Sequence, residues 1–294
     1  MIKTIRVMLL PNNKQKSKLF LYANTSRYVY NWAIARERTN YKDGNKFISD
    51  YDLRKEFTQL KKLEEYDWLN TVSNDAMKQS IKDACDAYKK FFKHQTGYPK
   101  FKSRKLSMPS FYQDNVKIRF TETHVKIEGI AGSRKKNRQK LNWIKLAEHN
   151  RIPTDCKYYN PRVKYDGLNW YITVGVDCDD STNEPKNNGI GIDLGIKDLA
   201  ICSDGNIYKN INKSNKIKKI EKKKRRLQRS FSRKIKKTKR KESYRESSNL
   251  RKAKKKFLKV SRRLTNIRHN YLHQITSSIV KRKPSFICIE DLNV

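Results

Sequence analysis

The spacing of apolar residues changes along this chain, and this pattern limits the possible folds more than any other feature. Residues 1–10 are predicted to form a strand, which ends where Pro and Asn follow. Between residues 14 and 95 apolar residues recur every three or four positions, which predicts helices. From about residue 110 to 178 the period becomes two, which predicts strands. An Asp-Gly pair at 166–167 predicts a tight hairpin there, because this pair readily supplies two positive φ angles.

The order of these segments predicts an α+β multidomain protein. The opening strand is separated from the later strands by the helices, so it could complete their sheet, with the helices inserted into one β domain. We therefore expect residues 1–12 and 105–180 to form an antiparallel, β-barrel-like domain, and residues 13–104 to form an inserted helical module. The polar segment 181–188 is predicted to be a linker. Residues 189–294 would form a second domain.

The charge of the chain indicates its partner. It carries 69 Lys and Arg against 29 Asp and Glu, a formal net charge of +40. Such self-repulsion opposes a compact state unless a polyanion neutralises it. We therefore expect nucleic-acid partners. An anionic membrane would normally require an apolar span, a lipidation signal or an amphipathic anchor, and none is evident. The sequence thus predicts a cytoplasmic protein that does not bind a membrane.

Basic residues are concentrated between residues 216 and 263, where 25 Lys or Arg accompany three Glu. One interpretation of such a segment is a disordered tail. However, Leu250, Phe257 and Leu264 belong to a three-and-four repeat that favours amphipathic helices. We prefer two such helices that pair through their apolar stripes and expose a dense basic face. The candidate nucleic-acid contacts on this face are Lys222, Arg225, Arg226, Arg229 and Arg233.

Two acidic residues stand at the ends of short apolar runs. Asp193 lies in the sequence Gly-Ile-Asp-Leu-Gly, and Glu290 follows Phe-Ile-Cys-Ile. The surrounding order of strand, hairpin, helices and strand is that of a ribonuclease H-like α/β domain, whose first and fourth strands are neighbours. Asp193 and Glu290 would then face each other and could bind Mg²⁺, which prefers carboxylate oxygens and serves phosphodiester hydrolysis. Alone, either acid could simply end a strand or cap a helix.

These motifs resemble the TnpB family, also called OrfB, of transposon-encoded proteins related to type V CRISPR nucleases. Residues 191–205 resemble the first RuvC motif of that family, and residues 289–294 resemble the second. The resemblance covers essentially the whole chain. Its other matching segments are Pro11 to Gln15, Arg27 to Asn31, Ala87 to Phe92, Tyr98 to Lys102 and Ser110 with Phe111.

The resemblance implies a Mg²⁺-dependent, RNA-guided DNA endonuclease, or in older descriptions a transposase accessory. Its β domain, the wedge domain of the family, and its inserted recognition helices would hold a guide RNA and read a short motif beside the target in double-stranded DNA. Asp193 and Glu290 would be catalytic residues and Mg²⁺ ligands of a RuvC site. Further contacts to nucleic acid are implied for Arg27, Tyr30, Asn31, Lys100 and Lys102.

The 294 residues depart from the family pattern in one respect. The family continues into a zinc ribbon built on Cys-x-x-Cys pairs and then a third acidic motif, and neither occurs here. The five cysteines are scattered, so zinc is not expected. Two carboxylates alone leave metal ions under-ligated. We therefore expect an incomplete, truncated RuvC domain that binds nucleic acid but cuts weakly or not at all, unless a second polypeptide supplies the rest.

Two other interpretations of the sequence stay open. The chain could be a guide-dependent or simply basic DNA-binding protein that occupies sites without cutting them, although such a protein has no reason to retain both acids. Alternatively, it could be a transposition protein of the helix-turn-helix type, in which residues 14–38 enter a groove of DNA. A defined RNA that remains bound at moderate salt would distinguish a guide complex from the latter.

Overall fold

The fold was established from a computed structural model. It describes residues 1–104, 107–129, 142–178, 187–239 and 247–290, with the side chains of 236–239 excepted. The chain forms two compact units, residues 1–179 and residues 180–294. Of the predicted linker, only residues 187 and 188 lie within the described ranges. No described helix combines the length and the apolar character needed to cross a membrane.

The first unit contains a seven-stranded antiparallel sheet. Its strands are β1 (Ile2–Leu10), β2 (Ser110–Tyr112), β3 (Arg119–Phe120), β4 (His124–Lys126), β5 (Trp143–Leu146), β6 (Tyr158–Tyr165) and β7 (Trp170–Asp177). Their order in the sheet is β2-β6-β7-β1-β5-β4-β3. Strand β1 lies between β7 and β5, with Ile2 opposite Asp177 and Leu9 opposite Trp170. The opening strand thus joins strands that follow more than 100 residues later.

Two details of this sheet differ from the sequence-based expectation. Among the described residues the sheet is open, because β2 and β3 are edge strands that do not pair with each other, so it is not a closed barrel. The β6–β7 connection contains four residues, and only Gly167 has a positive φ, of 90°. The Asp166 carboxylate instead accepts hydrogen bonds from the backbone N–H groups of Leu168 and Asn169. This side-chain turn replaces the second positive φ angle.

The helical module follows β1 and consists of α1 (Asn13–Lys42), α2 (Asp50–Leu60), a 3₁₀ helix (Glu64–Thr71) and α3 (Asn74–Phe92). Asn12 caps α1 through a capping box with Gln15, in which each side chain accepts a backbone N–H of the other residue. Ser73 caps α3 by accepting a hydrogen bond from Asp75 N. These local signals determine where the two longest helices of the module begin.

Helix α1 contributes to two apolar cores. Its first half packs Leu19 and Tyr22 against the sheet, whereas its second half packs Val29 and Ile34 against α2 and α3. Burial of each such side chain stabilises the fold by roughly 1.5–3 kcal/mol. The buried residues of α3 are Ala76, Met77, Ser80, Ile81, Ala84, Cys85 and Tyr88, which follow the predicted three-and-four spacing. One helix therefore connects the sheet to the helical module.

The second unit has a four-stranded sheet and two long helices. Its elements are β8 (Ile190–Asp193), β9 (Asp198–Cys202), β10 (Ile207–Lys209), a 3₁₀ helix (Ile211–Lys213), α4 (Asn215–Lys239), α5 (Ser248–Val280) and β11 (Ile287–Ile289). The order of the strands in the sheet is β10-β9-β8-β11. Strands β8 and β11 are parallel, and the other two pairs are antiparallel. Ile275 and Ile279 of α5 pack against Ile190 and Cys202 of the sheet.

Candidate carboxylate site and nucleic-acid interface

Asp193 and Glu290 lie at the same edge of the second sheet. Their strands are parallel neighbours, and Ile192 pairs with Ile289 in the last register position. Asp193 and Glu290 are the residues that follow this pair, so they lie next to each other at the carboxyl ends of β8 and β11. Both residues are exposed to solvent. The first and fourth strands of this unit are therefore neighbours, as the order of elements predicts.

Hydrogen bonds hold β8 at its beginning. The Ile190 N–H donates to Phe286 O at 3.0 Å, and the Gly191 N–H donates to the Ser203 hydroxyl at 3.0 Å. Carboxylate oxygens on neighbouring strand ends are suitable ligands for a hard cation such as Mg²⁺. No group of three or more His, Cys, Asp or Glu side chains suited to a metal occurs among the described residues, which exclude Asp291. Metal binding by Asp193 and Glu290 stays a prediction.

Helices α4 and α5 pair as the apolar stripes predict. The rings of Phe231 and Phe257 stack with centroids 6.0 Å apart, and Ile217, Leu250 and Leu264 are buried. Arg268 Nη2 donates to Glu221 Oε1 at 2.6 Å, which joins the beginning of α4 to the later half of α5. The helices are therefore antiparallel. We call this pair the basic hairpin, residues 215–239 and 248–280.

The outer face of α4 is strongly cationic. All five predicted contacts on this helix, Lys222, Arg225, Arg226, Arg229 and Arg233, are exposed. Glu221 is the only acidic residue of α4. Its carboxylate is hydrogen-bonded to Arg268 of α5, and Arg225 Nη2 lies 3.9 Å from Glu221 Oε2. The remaining basic side chains repel one another, which a polyanion would relieve. The helix thus presents a continuous positive surface of the kind that contacts phosphate backbones.

Three of the contacts predicted in the first unit have partners inside the protein. The Asn31 amide donates to Lys102 O at 2.9 Å and accepts from Lys102 N at 2.8 Å. Tyr30 is buried, and the Lys102 ammonium lies 3.5 Å from the centroid of its ring, a cation–π contact. Asn31 and Tyr30 therefore hold the segment after α3 against α1. Their predicted contacts to nucleic acid remain untested, and Lys100 is exposed.

Arg27 lies near an ion pair that sequence reasoning missed. The Arg162 guanidinium donates to both carboxylate oxygens of Asp83, at 2.6 and 2.8 Å, and so joins β6 to α3. These residues are 79 positions apart, so no local spacing could have indicated the pair. Arg27, half-buried on α1, lines the same pocket as Asp83, Lys102 and Arg162.

Burial perturbs the charged groups of this pocket in opposite ways. Desolvation lowers the pKa of Lys102, and the Asp83 charge only partly offsets this effect. Desolvation also raises the pKa of Asp83. The hydrogen bonds and charge of Arg162, with smaller contributions from Gln79 and Lys102, outweigh this effect and hold that pKa below its usual value. The Asp83 carboxylate is therefore held in its charged form chiefly by Arg162, and the residues that line the pocket still carry more positive than negative groups.

Two segments of the chain match family models that both describe OrfB proteins of the IS605 type. Residues 171–294 match the OrfB model of the IS605 type, described as "Probable transposase". Residues 1–46 match the corresponding OrfB model, described as "Helix-turn-helix domain". This chain belongs to the TnpB/OrfB family.

Two curated relatives of this OrfB-family chain match it along its whole length. It is 29% identical over 294 residues to "Putative RNA-guided DNA endonuclease InsQ" of Escherichia coli (strain K12), covering 100% of the chain and 67% of the relative. It is 24% identical over 305 residues to "Putative RNA-guided DNA endonuclease" of Streptomyces pristinaespiralis, covering 99% of the chain and 67% of the relative. The chain therefore spans about two thirds of the length of each relative.

The fold is also similar to a solved structure. A chain of the cryo-EM structure of the Cas12f1-sgRNA-target DNA complex aligns with a TM-score of 0.54 at 11% identity, covering 99% of this chain and 81% of that one. At this identity the likeness concerns the fold alone. The helix-turn-helix interpretation is not favoured, because residues 14–38 lie within the single continuous helix α1. That helix has no turn in this range, despite the description of the matching model.

Proposed function

We propose that this chain binds a guide RNA and the double-stranded DNA selected by that guide, as part of an RNA-guided DNA endonuclease. The observation that carries the proposal is the placement of Asp193 and Glu290 side by side at two parallel strand ends. The same unit carries the basic hairpin, whose exposed cations suit a phosphate backbone. Pairing with the guide would select the target sequence, while the protein would hold backbone and shape.

The two carboxylates fit Mg²⁺ by the chemistry of their donors. Asp193 and Glu290 would hold the ion through hard oxygen ligands at strand ends that the sheet keeps in place. When bound, Mg²⁺ supplies stabilisation of the charge that develops on phosphodiester oxygens. The contribution of this chain is to fix the two ligands and to position the phosphate backbone on the basic hairpin.

The proposal is tested by identifying the RNA that the chain binds. We would express the 294-residue chain together with the DNA that flanks its gene, purify it at moderate salt, and sequence the bound RNA. One discrete RNA species with a constant protein-bound part supports the proposal. Heterogeneous RNA, or no RNA combined with affinity for duplex DNA, would overturn it. A variant with Arg226, Arg229 and Arg233 changed to Gln should lose this RNA at lower salt.

Cleavage by these 294 residues is a separate question from binding. Asp193 and Glu290 are the two acids that the described strand ends bring together. We therefore infer that any cutting of matched DNA by the chain with its guide and Mg²⁺ depends on both acids. The check is incubation of the complex with matched DNA and Mg²⁺. Cutting that persists in Asp193→Asn or Glu290→Gln would contradict this inference.

A further inference from the structure

A small pocket in the first unit lies between α1, α3, β6 and the segment that follows the helical module. Its volume is about 60 Å³. A water needs roughly 10–15 Å³ measured in the same way, so the pocket has room for several waters or one compact oxyanion. Ser26 and Arg27 line it from α1, Asp83 from α3 and Arg162 from β6. All of these residues belong to the same compact unit.

Two of the residues that line this pocket each carry a buried polar atom with no hydrogen-bond partner within the described part of the chain. These atoms belong to the Ser26 hydroxyl and the Arg27 Nε–H group. Ser26 is only 5% exposed, so bulk water does not satisfy its hydroxyl freely. Leaving a buried donor without a partner destabilises the folded state, and more so when the donor is charged. Both groups are donors, and a ligand that accepts hydrogen bonds would remove this destabilisation.

The charge of the pocket indicates which acceptor it suits. Lys102 and Arg104 line it together with Arg27 and Arg162, whereas Asp83 is the one acidic residue among its lining residues. Arg162 already neutralises Asp83 through two hydrogen bonds. The pocket therefore retains an excess of positive charge together with a hydroxyl donor and a guanidinium donor. Arginine binds phosphate oxygens through such charge-assisted hydrogen bonds.

We propose that this pocket binds one phosphate group, with the Ser26 hydroxyl and the Arg27 Nε–H as its buried donors. The phosphate could come from the backbone of bound RNA or from a free phosphate ion. The first source rests on the proposed function, whereas the second does not. In either case the pocket is a site distinct from Asp193 and Glu290, which belong to the other compact unit.

The site is tested by following the Arg27 Nε–H signal in the 294-residue chain labelled with ¹⁵N-arginine. Arg27→Gln identifies the signal by its loss. Titration with inorganic phosphate at constant ionic strength should shift this signal to a saturable end point. A second titration uses single-stranded RNA. A shift caused by RNA, with no further effect of phosphate, identifies the backbone as the source. A shift caused only by phosphate identifies the free ion.

Variants distinguish phosphate binding in the pocket from a response to the overall positive charge of the chain. Ser26→Val should weaken the phosphate-dependent shift of Arg27 roughly tenfold, because it removes one of the two buried donors. Ser26→Ala, which adds no volume, should act in the same direction and guards against misfolding of the larger variant. Lys14→Gln removes one exposed positive charge from the same helix and should leave the titration unchanged.

The outcomes separate this inference from the proposed function. An Arg27 signal that moves with neither phosphate nor RNA would overturn the pocket assignment, even if a discrete RNA co-purifies. Equal loss of the shift in Lys14→Gln and Ser26→Val would also overturn it, because the response would then reflect overall charge. Conversely, a saturable phosphate shift in a chain that binds no defined RNA would retain the pocket and refute the guide-binding proposal.

Discussion

Asp193 and Glu290 follow directly on Ile192 and Ile289, the last pair of the parallel β8–β11 ladder. The two acids are 97 positions apart in sequence, but the parallel register places both at the same sheet edge. We therefore expect both residues to contribute to metal binding. Neither motif identifies the site by itself, because each supplies only one of the two carboxylates.

The first prediction concerns these two carboxylates. Asp193→Asn or Glu290→Gln should weaken binding of Mn²⁺, used as a spectroscopic substitute for Mg²⁺, by about tenfold or more. Groups that merely orient a metal ligand already change affinity 10- to 100-fold. The measurement is Mn²⁺ titration followed by electron paramagnetic resonance. Glu148→Gln, which removes a carboxylate of the first unit, is the matched control, and an equal loss in that variant would refute the assigned site.

The second prediction concerns the basic face of α4. Changing Arg226, Arg229 and Arg233 to Gln should reduce the slope of log K for RNA against log salt by about 2, since each phosphate contact to a single strand contributes roughly 0.7. Binding isotherms at several salt concentrations measure the slope. The control changes Lys14, Lys16 and Lys42, which are exposed on α1, to Gln. If both triple variants reduce the slope equally, the basic hairpin has no special role.

The third prediction concerns the ion pair that joins the two helices of the basic hairpin. The Glu221 carboxylate accepts a hydrogen bond from Arg268 at 2.6 Å, and Arg268 also donates to Asn212 at 2.8 Å. A double-mutant cycle with Glu221→Gln and Arg268→Gln should give a coupling energy of about 1 kcal/mol, because both side chains are half-buried. Urea unfolding of the four proteins measures it. A coupling near zero would show that the apolar stripe alone pairs the helices.

The fourth prediction concerns Glu37, a carboxyl group in the helical module. This residue is only 4% exposed, and one of its carboxyl oxygens accepts a hydrogen bond from Ile48 N at 3.4 Å. Burial raises the pKa of Glu37 from 4.5 to about 7, and the hydrogen bond from Ile48 and the charge of Arg36 only partly oppose this. The folded state therefore retains a proton that the unfolded state releases at lower pH.

The sign of the pH dependence follows from this raised pKa. Between pH 4.5 and 7 the folded state binds more protons at Glu37 than the unfolded state, so this residue's contribution to stability falls as pH rises. Glu37→Gln should therefore be more stable than the wild type at pH 8, by about 1–3 kcal/mol, and this advantage should vanish near pH 4. Thermal unfolding of both proteins across this range measures the difference. A constant difference would contradict the raised pKa.

Local sequence signals predicted the secondary structure well where that structure depends on neighbouring residues rather than on tertiary packing. The three-and-four spacing of α3 and the apolar stripes of the basic hairpin both correspond to the structure. These signals are reliable because the residues that form the apolar face of a helix are only a few positions apart. The position of the turn at residues 166–167 was predicted correctly, but its conformation was not. The Asp166 side chain accepts the hydrogen bonds of this turn.

The candidate site could be predicted only in part. The acidic strand ends and the order of elements indicated that Asp193 and Glu290 would meet, because parallel neighbouring strands bring their carboxyl ends to one edge. The pocket around Ser26 could not be predicted, because its polar groups come from α1, α3, β6 and a connecting segment. Likewise, the motif that contains Asn31 suggested nucleic-acid contacts, but the structure shows its amide holding Lys102.

The sequence by itself determined the elements, their order, the excess of positive charge and the carboxylates at two strand ends. These properties depend on residues that are close together in the chain. Only the tertiary structure decided which distant side chains meet: Arg162 with Asp83, Lys102 with Tyr30, and Arg268 with Glu221. The physical reason is that burial and charge pairing depend on how the helices and sheets pack, and that packing has no periodic signature in the chain.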